Sequence, residues 1–159
     1  MKIRLFIGLL VLSLQVAAQR TIQQEQMKLG LSRLFVSGHM LTFDILLFNH
    51  SPLGYQPQYI KFFIRERHLM RRMAVQEREI LPLYPMRPSE ILADSSLHIM
   101  LLFHQFTVPR TKELVIAMKE KDGSRDLALH ITGHRFMKMI RTTQKSDQHP
   151  FINEKKPGL

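Results

Sequence analysis

The histidines are the first side chains in this sequence that could do chemistry, because imidazole both ligates metals and transfers protons. There are eight of them. His130 and His134 have a spacing that suits two ligands on one helix face, but Gly133 lies between them and the glutamate of a zinc-protease helix is missing. His98 and His104 would lie on one side of an extended strand, about 20 Å apart. We therefore predict neither a metal site nor a cofactor.

Paired carboxylates offer a second kind of chemistry. Glu77 and Glu79 have the alternate spacing that acid–base hydrolysis could use, but arginines flank them, so cross-strand charge pairing is the simpler interpretation. Ser37-Gly38-His39 and Asp44 supply hydrolase residue types without a nucleophile-elbow motif. The absence of cysteine excludes a thiol nucleophile, a disulfide framework and an iron–sulfur cluster. We predict that the protein is not an enzyme, and a hydrolase using the two glutamates ranks last.

Basic residues form the most distinctive cluster. The chain carries 23 Lys and Arg against 13 Asp and Glu, a formal charge of +10. One interpretation of the cluster is a solvated strand edge whose charges prevent unwanted pairing. The other is a docking face for an acidic partner or for nucleic acid. The candidate interaction face comprises Lys61, Arg65, Arg67, Arg71 and Arg72.

Alternating apolar residues indicate the strands that must position these side chains. Ser37-Gly38 interrupts an apolar stretch and predicts a tight connection between two strands. Asn49-His50-Ser51 opens the next turn and also fits a glycosylation tripeptide, a pattern that is frequent by chance. The residues predicted to face a common core are Leu41, Phe43, Ile45 and Leu47, and then Ile60, Phe62 and Ile64.

Further strands follow along the chain. Residues 74–84 alternate before a group of prolines, and Asp122-Gly123 between two alternating runs predicts a hairpin. Its strands would pair Leu114, Ile116 and Met118 with Leu127, Leu129 and Ile131 over one core.

About seven short strands predict a mainly β fold, an antiparallel β-sandwich of immunoglobulin-like type. The alternative is an α+β fold with a helix in Ser89–Ala93 or Phe136–Arg141. The predicted domain covers residues 27–142, and the polar residues 143–159 are predicted to be a disordered tail.

The first nineteen residues have the order of a secretory signal peptide. Lys2 and Arg4 precede an apolar stretch, and Val16-Ala17-Ala18 supplies the small residues before a cleavage site near Gln19. The alternative is a retained N-terminal anchor, and no other stretch approaches the length of a spanning helix. We predict an exported protein with no transmembrane anchor after cleavage.

Several motifs, in order and with matching spacing, resemble the TraN family of Bacteroides conjugative transposons. They span roughly Met27 to Ile131 and correspond to the C-terminal domain of that family, in a short form. The motifs are Ser51-Pro52-Leu53-Gly54-Tyr55, residues 59–67, residues 72–84, Phe106-Thr107-Val108-Pro109, Lys112-Glu113-Leu114 and residues 120–127.

The resemblance implies a structural subunit of a conjugative, type IV secretion-like DNA-transfer apparatus. Such a subunit would lie in the periplasm, associated with the outer membrane through its partners, and would bind other transfer proteins in an oligomeric assembly. Direct contact with nucleic acid is compatible with the basic cluster. The alternative, from a different class, is a stand-alone periplasmic module that binds a polyanion such as DNA or an anionic glycan.

Overall fold

The computed structural model describes residues 20–24, 26–67, 77–86 and 88–147. The predicted leader 1–19, the predicted face residues Arg71 and Arg72, and residues 148–159 lie outside the described residues. The elements, in chain order, are β1 (Arg20–Gln24), β2 (Met27–Ser37), β3 (Met40–Asn49), β4 (Pro57–Glu66), β5 (Glu77–Ile80), β6 (Ser95–His104), β7 (Lys112–Glu120), β8 (Leu127–Thr132) and α1 (Gly133–Asp147).

Two antiparallel sheets of four strands make up the fold. Sheet 1 has the strand order β1-β2-β3-β6, and sheet 2 has the order β5-β4-β7-β8. The chain changes sheet after β3, after β5 and after β6, so the pairs β3–β6 and β4–β7 join strands that are distant in sequence. This is the Greek-key connection pattern of immunoglobulin-type sandwiches. The predicted mainly β sandwich is confirmed, with eight strands in the described residues instead of about seven.

The strand missing from the sequence-based prediction is β1, which precedes the predicted domain of residues 27–142. Ile22 pairs with Leu29 of β2 and packs partly buried against the core. One apolar residue among polar neighbours gives too little alternation to indicate a strand. β1 forms because it pairs with β2 and Ile22 can then pack against the core.

Aromatic side chains join the two sheets at the centre of the core. The ring of Phe43, from sheet 1, lies 5.5 Å from that of Phe62, from sheet 2. Phe103 of β6 lies 4.7 Å from Phe62 and 5.0 Å from Phe43. Such tilted and edge contacts add to the hydrophobic stabilisation. The predicted inward residues of β3, namely Leu41, Phe43, Ile45 and Leu47, are all fully buried, and Phe62 and Ile64 of β4 are buried as well.

Both predicted hairpin connections form. Gly38 lies between β2 and β3 with φ of 55°, a left-handed conformation that favours glycine. In the β7–β8 hairpin, the two predicted sets of apolar residues do pair, and the structure sets their register: Leu114 with Ile131, Ile116 with Leu129, and Met118 with Leu127.

β5 is shorter than the alternating segment 74–84, of which residues 74–76 lie outside the described residues. After Ile80 the chain leaves sheet 2 and crosses to the edge of sheet 1, where the backbone N–H of Leu83 donates to the carbonyl of Leu102 at 2.8 Å. Ser89–Ala93 is not helical, because Ile91 pairs with Tyr55 in an isolated bridge.

The helix that does form is α1, which includes the segment Phe136–Arg141. Its buried Phe136 and Ile140 pack against β2 and the ends of β7 and β8. The helix runs into the first residues of the predicted tail and ends at Asp147. Across the parts of the chain that the structure describes, no helix has the length and apolar character needed to cross a bilayer.

Candidate functional site

The predicted basic face lies on β4, a central strand of sheet 2. Because side chains alternate along a strand, burial of Phe62 and Ile64 on one side turns Lys61 and Arg65 to the outer side. Arg67 follows directly after the strand, and its backbone N–H donates to the carbonyl of Thr111 at 3.2 Å. The structure therefore places three of the five predicted residues along one outer surface.

Acidic residues on the neighbouring strand β5 neutralise part of this surface. The register sets Glu77 opposite Arg65 and Glu79 opposite Phe63. Glu79 lies 3.8 Å from the ammonium of Lys61, and Glu77 lies 3.9 Å from the guanidinium of Arg65. The two glutamates are the cross-strand charge partners that the sequence indicates. Their partners are on β4, whereas the flanking sequence had suggested nearby arginines.

A third acidic residue binds Arg65 from the opposite side. Glu113 of β7 accepts a hydrogen bond from Nε of Arg65 at 2.9 Å, and Nδ1 of His130 lies 3.0 Å from the same oxygen. Desolvation by itself raises the pKa of Glu113, but the hydrogen bonds to His130 and Arg65 outweigh it, so the pKa lies below its ordinary value. Arg65 is thus held by its neighbours and offers little free charge to a partner.

Three exposed arginines lie at one end of the sandwich, which we call the basic end and define by Arg67, Arg110 and Arg135. All three are exposed, and none forms an ion pair with a described carboxylate. Arg110 belongs to the turn that binds the end of β4 through Thr111. A Cβ on Gly133, at the start of α1, would lie 2.0 Å from the carbonyl oxygen of Pro109, so the helix start abuts the same turn.

Sequence reasoning missed Arg110 and Arg135 as parts of this surface. They are distant from Arg67 along the chain, and the β4–β7 and β7–β8 pairings bring the three segments to the same end. The predicted β7–β8 hairpin could have placed Arg110 and Arg135 together, because it brings the start of β7 beside the end of β8.

The opposite end of the sandwich holds a polar network that ties the two sheets together. Arg125 donates from Nε to both carboxylate oxygens of Glu120 at 3.0 Å, from one terminal nitrogen to Oγ of Ser51 at 2.9 Å, and from the other to the carbonyl of Gly54 at 2.7 Å. The hydroxyl of Tyr55 donates to the carbonyl of Arg125 at 3.0 Å. Ser51, Gly54 and Tyr55 follow a strand of sheet 1, whereas Glu120 and Arg125 belong to the β7–β8 hairpin of sheet 2.

The surroundings within this network favour the charged form of Glu120 and the neutral form of Tyr55. Hydrogen bonds from Arg125 are the largest influence on Glu120 and, although desolvation opposes them, they lower the pKa of that carboxyl. Burial raises the pKa of the Tyr55 hydroxyl far above its ordinary value, with smaller contributions from the negative charges of Glu120 and Asp126. The network is therefore a fixed ion pair with a neutral tyrosine beside it.

Asn49, the acceptor of the glycosylation tripeptide, also lies at this end. Its side chain is fully buried, and Nδ2 donates to the carbonyls of Leu53, Ile91 and Leu92 at 2.7, 3.2 and 3.0 Å. A glycan on that nitrogen would break these hydrogen bonds and could not fit in the folded protein. Asn49 is a structural residue of the turn.

Two of the described histidines lie beside a carboxylate. His98 lies 3.5 Å from Asp44 across sheet 1, and His130 contacts Glu113 as described. Among residues 20–24, 26–67, 77–86 and 88–147, no three side chains of His, Asp and Glu converge as metal ligands would.

Comparison with known proteins gives one match. The family described as DUF4138, a domain of unknown function, matches residues 12–141, which include β1 to β8 and the first part of α1. Neither the curated proteins nor the solved structures provide a match. The chain belongs to the DUF4138 family.

Proposed function

We propose that the protein is a non-enzymatic assembly subunit of a conjugative DNA-transfer apparatus, a member of the TraN family within the DUF4138 domain. It is exported to the periplasm and acts near the outer membrane, where it binds other transfer proteins. Its task is mechanical: it presents a stable sandwich whose surfaces fit neighbouring subunits.

The observation that carries this proposal is the contact between two motifs that are distant in sequence. The motif Ser51–Tyr55 and the motif at residues 120–127 both resemble TraN sequences, and Arg125 of the second binds Ser51 and Gly54 of the first. Gly54 also faces Glu90, since a Cβ on it would lie 2.6 Å from a carboxylate oxygen of that residue. Motif residues that meet in one network are expected when a family shares a fold, which supports a family relationship over chance similarity.

The test is affinity purification of the tagged protein from detergent-solubilised envelopes of a transfer-competent cell, followed by size-exclusion chromatography and mass spectrometry. We expect elution in a large complex with other transfer proteins. A charge-reversal variant at the basic end, Arg67→Glu with Arg110→Glu, tests whether this surface holds the complex. Lys119→Glu with Lys121→Glu at the other end of the sandwich is its matched control. Elution as a free monomer with no transfer protein attached contradicts the proposal.

A second candidate function, polyanion binding, is favoured by the basic end alone. Three exposed guanidinium groups, none of them paired with a carboxylate of the described residues, suit the phosphates of DNA or the charged groups of an anionic glycan. In a salt-titrated DNA-binding assay, we expect the variant Arg67→Glu with Arg110→Glu to reduce the logarithmic salt slope by about 2 relative to wild type. The Lys119 and Lys121 control should retain the slope. Equal slopes for all three proteins would contradict phosphate binding at the basic end.

Export is tested separately. We expect the intact mass of the protein recovered from the periplasm to correspond to cleavage near Gln19, directly before the start of β1. Recovery of the uncleaved chain in the membrane fraction would favour the retained anchor.

A further inference from the structure

The exposed side of α1 carries a row of Lys, Arg and His side chains. Within residues 133–141, the exposed residues, which we call the α1 stripe, are His134, Arg135, Lys138 and Arg141. The helix contains no Glu, and its one Asp is the last residue, Asp147. No carboxylate within residues 133–141 therefore balances the charge of the stripe.

The helix period aligns the stripe along one side of α1. At 3.6 residues per turn, His134, Lys138 and Arg141 lie within about 60° of one another around the helix axis. They are separated along that axis by about 6 and about 4.5 Å. Phe136 and Ile140 lie on the opposite side and are buried against the sandwich. Their burial fixes the rotation of the helix, so the stripe faces solvent.

The stripe continues the basic end, because Arg135 belongs to both. The start of α1 abuts the carbonyl of Pro109, and Arg110 follows in the same turn. The end of β4 reaches this turn through the hydrogen bond from Arg67 to Thr111. One basic surface therefore runs from the end of β4 across the turn and then about 9 Å along α1, from Arg135 to Arg141.

Large apolar side chains are not exposed on this surface. In the part of the chain that the structure describes, the exposed large apolar residues lie elsewhere: Leu53, Leu81, Tyr84, Met86, Leu92 and Met100. The buried centre of a protein–protein interface is enriched in aromatic residues and Met. A surface that binds single-stranded DNA stacks the bases on aromatic side chains. The stripe offers an anchor of neither kind.

The packing of α1 also disfavours a bilayer as the partner. A helix that lies at a membrane surface buries its apolar face in the lipid. In α1 that face is already used inside the protein, where Phe136 stacks on Phe106 with 5.3 Å between the ring centroids. The exposed side offers charge alone, which suits a polymer whose phosphates lie on its outside.

We propose that the α1 stripe binds the phosphate backbone of double-stranded DNA without reading the base sequence. Interfaces with duplex DNA are more polar and much more positively charged than interfaces with proteins, and this surface has that composition. Contacts from Lys and Arg to phosphates position a protein on the duplex and release counterions. The inference rests on the second candidate function, polyanion binding, which it narrows to one polymer and extends to α1.

The test is a salt titration of the purified protein with a short DNA duplex, followed by fluorescence anisotropy. Lys138→Gln with Arg141→Gln removes two charges and retains good helix formers, so we expect the logarithmic salt slope to fall by about 2. Arg135→Gln alone should lower it by about 1. Lys119→Gln with Lys121→Gln removes the same charge at the other end of the sandwich and should keep the wild-type slope. Circular dichroism of each variant measures whether the fold is retained.

Three further probes identify the polymer. Duplexes of unrelated sequence should bind alike, and a single strand of equal length should bind more weakly than the duplex. Vesicles containing an anionic phospholipid, and dextran sulfate as an anionic glycan, should bind more weakly than the duplex. A single strand, vesicle or glycan that binds more tightly than the duplex would overturn the inference.

The outcomes also separate this inference from the functions proposed above. Folded α1 variants that keep the wild-type slope, while Arg67→Glu with Arg110→Glu lowers it, would overturn the inference and leave polyanion binding at the basic end. A wild-type protein that binds neither DNA nor the other polyanions would overturn both. The assembly role is decided by co-purification with transfer proteins, whatever the DNA titration gives.

Discussion

Arg125 donates hydrogen bonds from all three of its guanidinium nitrogens, and their acceptors come from both sheets. Glu120 lies in its own hairpin, whereas Ser51 and Gly54 belong to the turn after β3. The guanidinium also lies over the ring of Tyr55, 5.1 Å from its centroid. A single side chain thus joins parts of the chain that are more than seventy positions apart at Ser51 and Arg125.

Replacing this residue should be costly. In Arg125→Ala, the mostly buried carboxylate of Glu120 loses its cation, and we expect the free energy of unfolding to fall by about 3 kcal/mol. Arg125→Lys should recover only part of the loss, because an ammonium cannot reproduce the planar fork. Urea denaturation measures the difference. The control Lys121→Ala, at an exposed site, should change stability by less than about 0.5 kcal/mol.

The acidic groups predict how stability depends on pH. Glu113 and Glu120 both have a pKa below the ordinary 4.5, so they contribute stability that is present above that pKa and is lost as the pH falls through their folded values. At neutral pH, Glu113→Gln should therefore be less stable than wild type. The difference should shrink as the pH falls below 4.5 and through the lowered pKa of Glu113, where wild type also loses the charge. Urea denaturation at several pH values measures it, and a difference independent of pH would contradict the assignment.

At the scale of elements, sequence patterns predicted those strands whose alternation is strong. The β7–β8 pairing could be predicted because Leu114, Ile116 and Met118 are each separated from the next by one residue, and because Asp122-Gly123 marks the turn. The short strand β5 and the strand β1 have few apolar residues, so their own sequences do not indicate them. Their positions depend on backbone pairing with the neighbouring strands β4 and β2.

In the candidate site, too, the sequence predicted local features but not contacts between strands. The outward orientation of Lys61 and Arg65 was predicted correctly, because the alternation of side chains along a strand depends only on local sequence. It did not indicate that Glu113 and His130 would surround Arg65, since those contacts depend on the register of three strands. Local patterns give the orientation of a side chain, whereas its electrostatic neighbours follow from topology.

The start of α1 gives a prediction for this element. Gly133 has no space for a Cβ, which would lie 2.0 Å from the carbonyl oxygen of Pro109, and backbone cannot swing aside as a side chain can. Gly133→Ala should therefore destabilise the protein by about 3 kcal/mol. Gly38→Ala is an informative comparison, because nothing lies near its Cβ and only its φ of 55° is unfavourable.

For Gly38→Ala we expect a loss of about 1 kcal/mol from the left-handed backbone alone. Thermal or urea unfolding of both variants measures the contrast. Equal effects of the two substitutions would show that the turn at Pro109 moves away from the helix.

At the scale of the whole molecule, one aromatic cluster serves both sheets. Phe43 and Phe103 come from sheet 1 and Phe62 from sheet 2, while Phe106 and Phe136 stack beside them at 5.3 Å. The apolar inner face of each sheet is shielded from water by the other sheet. We therefore expect the described sandwich to unfold as one cooperative unit.

Phe103→Ala tests this expectation. It removes a fully buried ring and should lower the free energy of unfolding by about 3–5 kcal/mol. Hydrogen exchange in denaturant should show that β3 and β7, one from each sheet, lose protection together. Protection that persists in sheet 2 after sheet 1 opens would mean that the sheets are separate units.

The strand connections also have a consequence for the order of folding. The hairpins β2–β3 and β7–β8 close over short loops, but Asn49 pairs with Ser95 and Glu66 with Lys112 only after long segments have been brought together. Non-local pairing of this kind slows folding, because the entropy of closing a long loop is lost before the contacts compensate it. A nascent chain should form its hairpins early and recruit β6 late, so β6, the longest edge strand in the described residues, stays exposed to aggregation after the hairpins have formed.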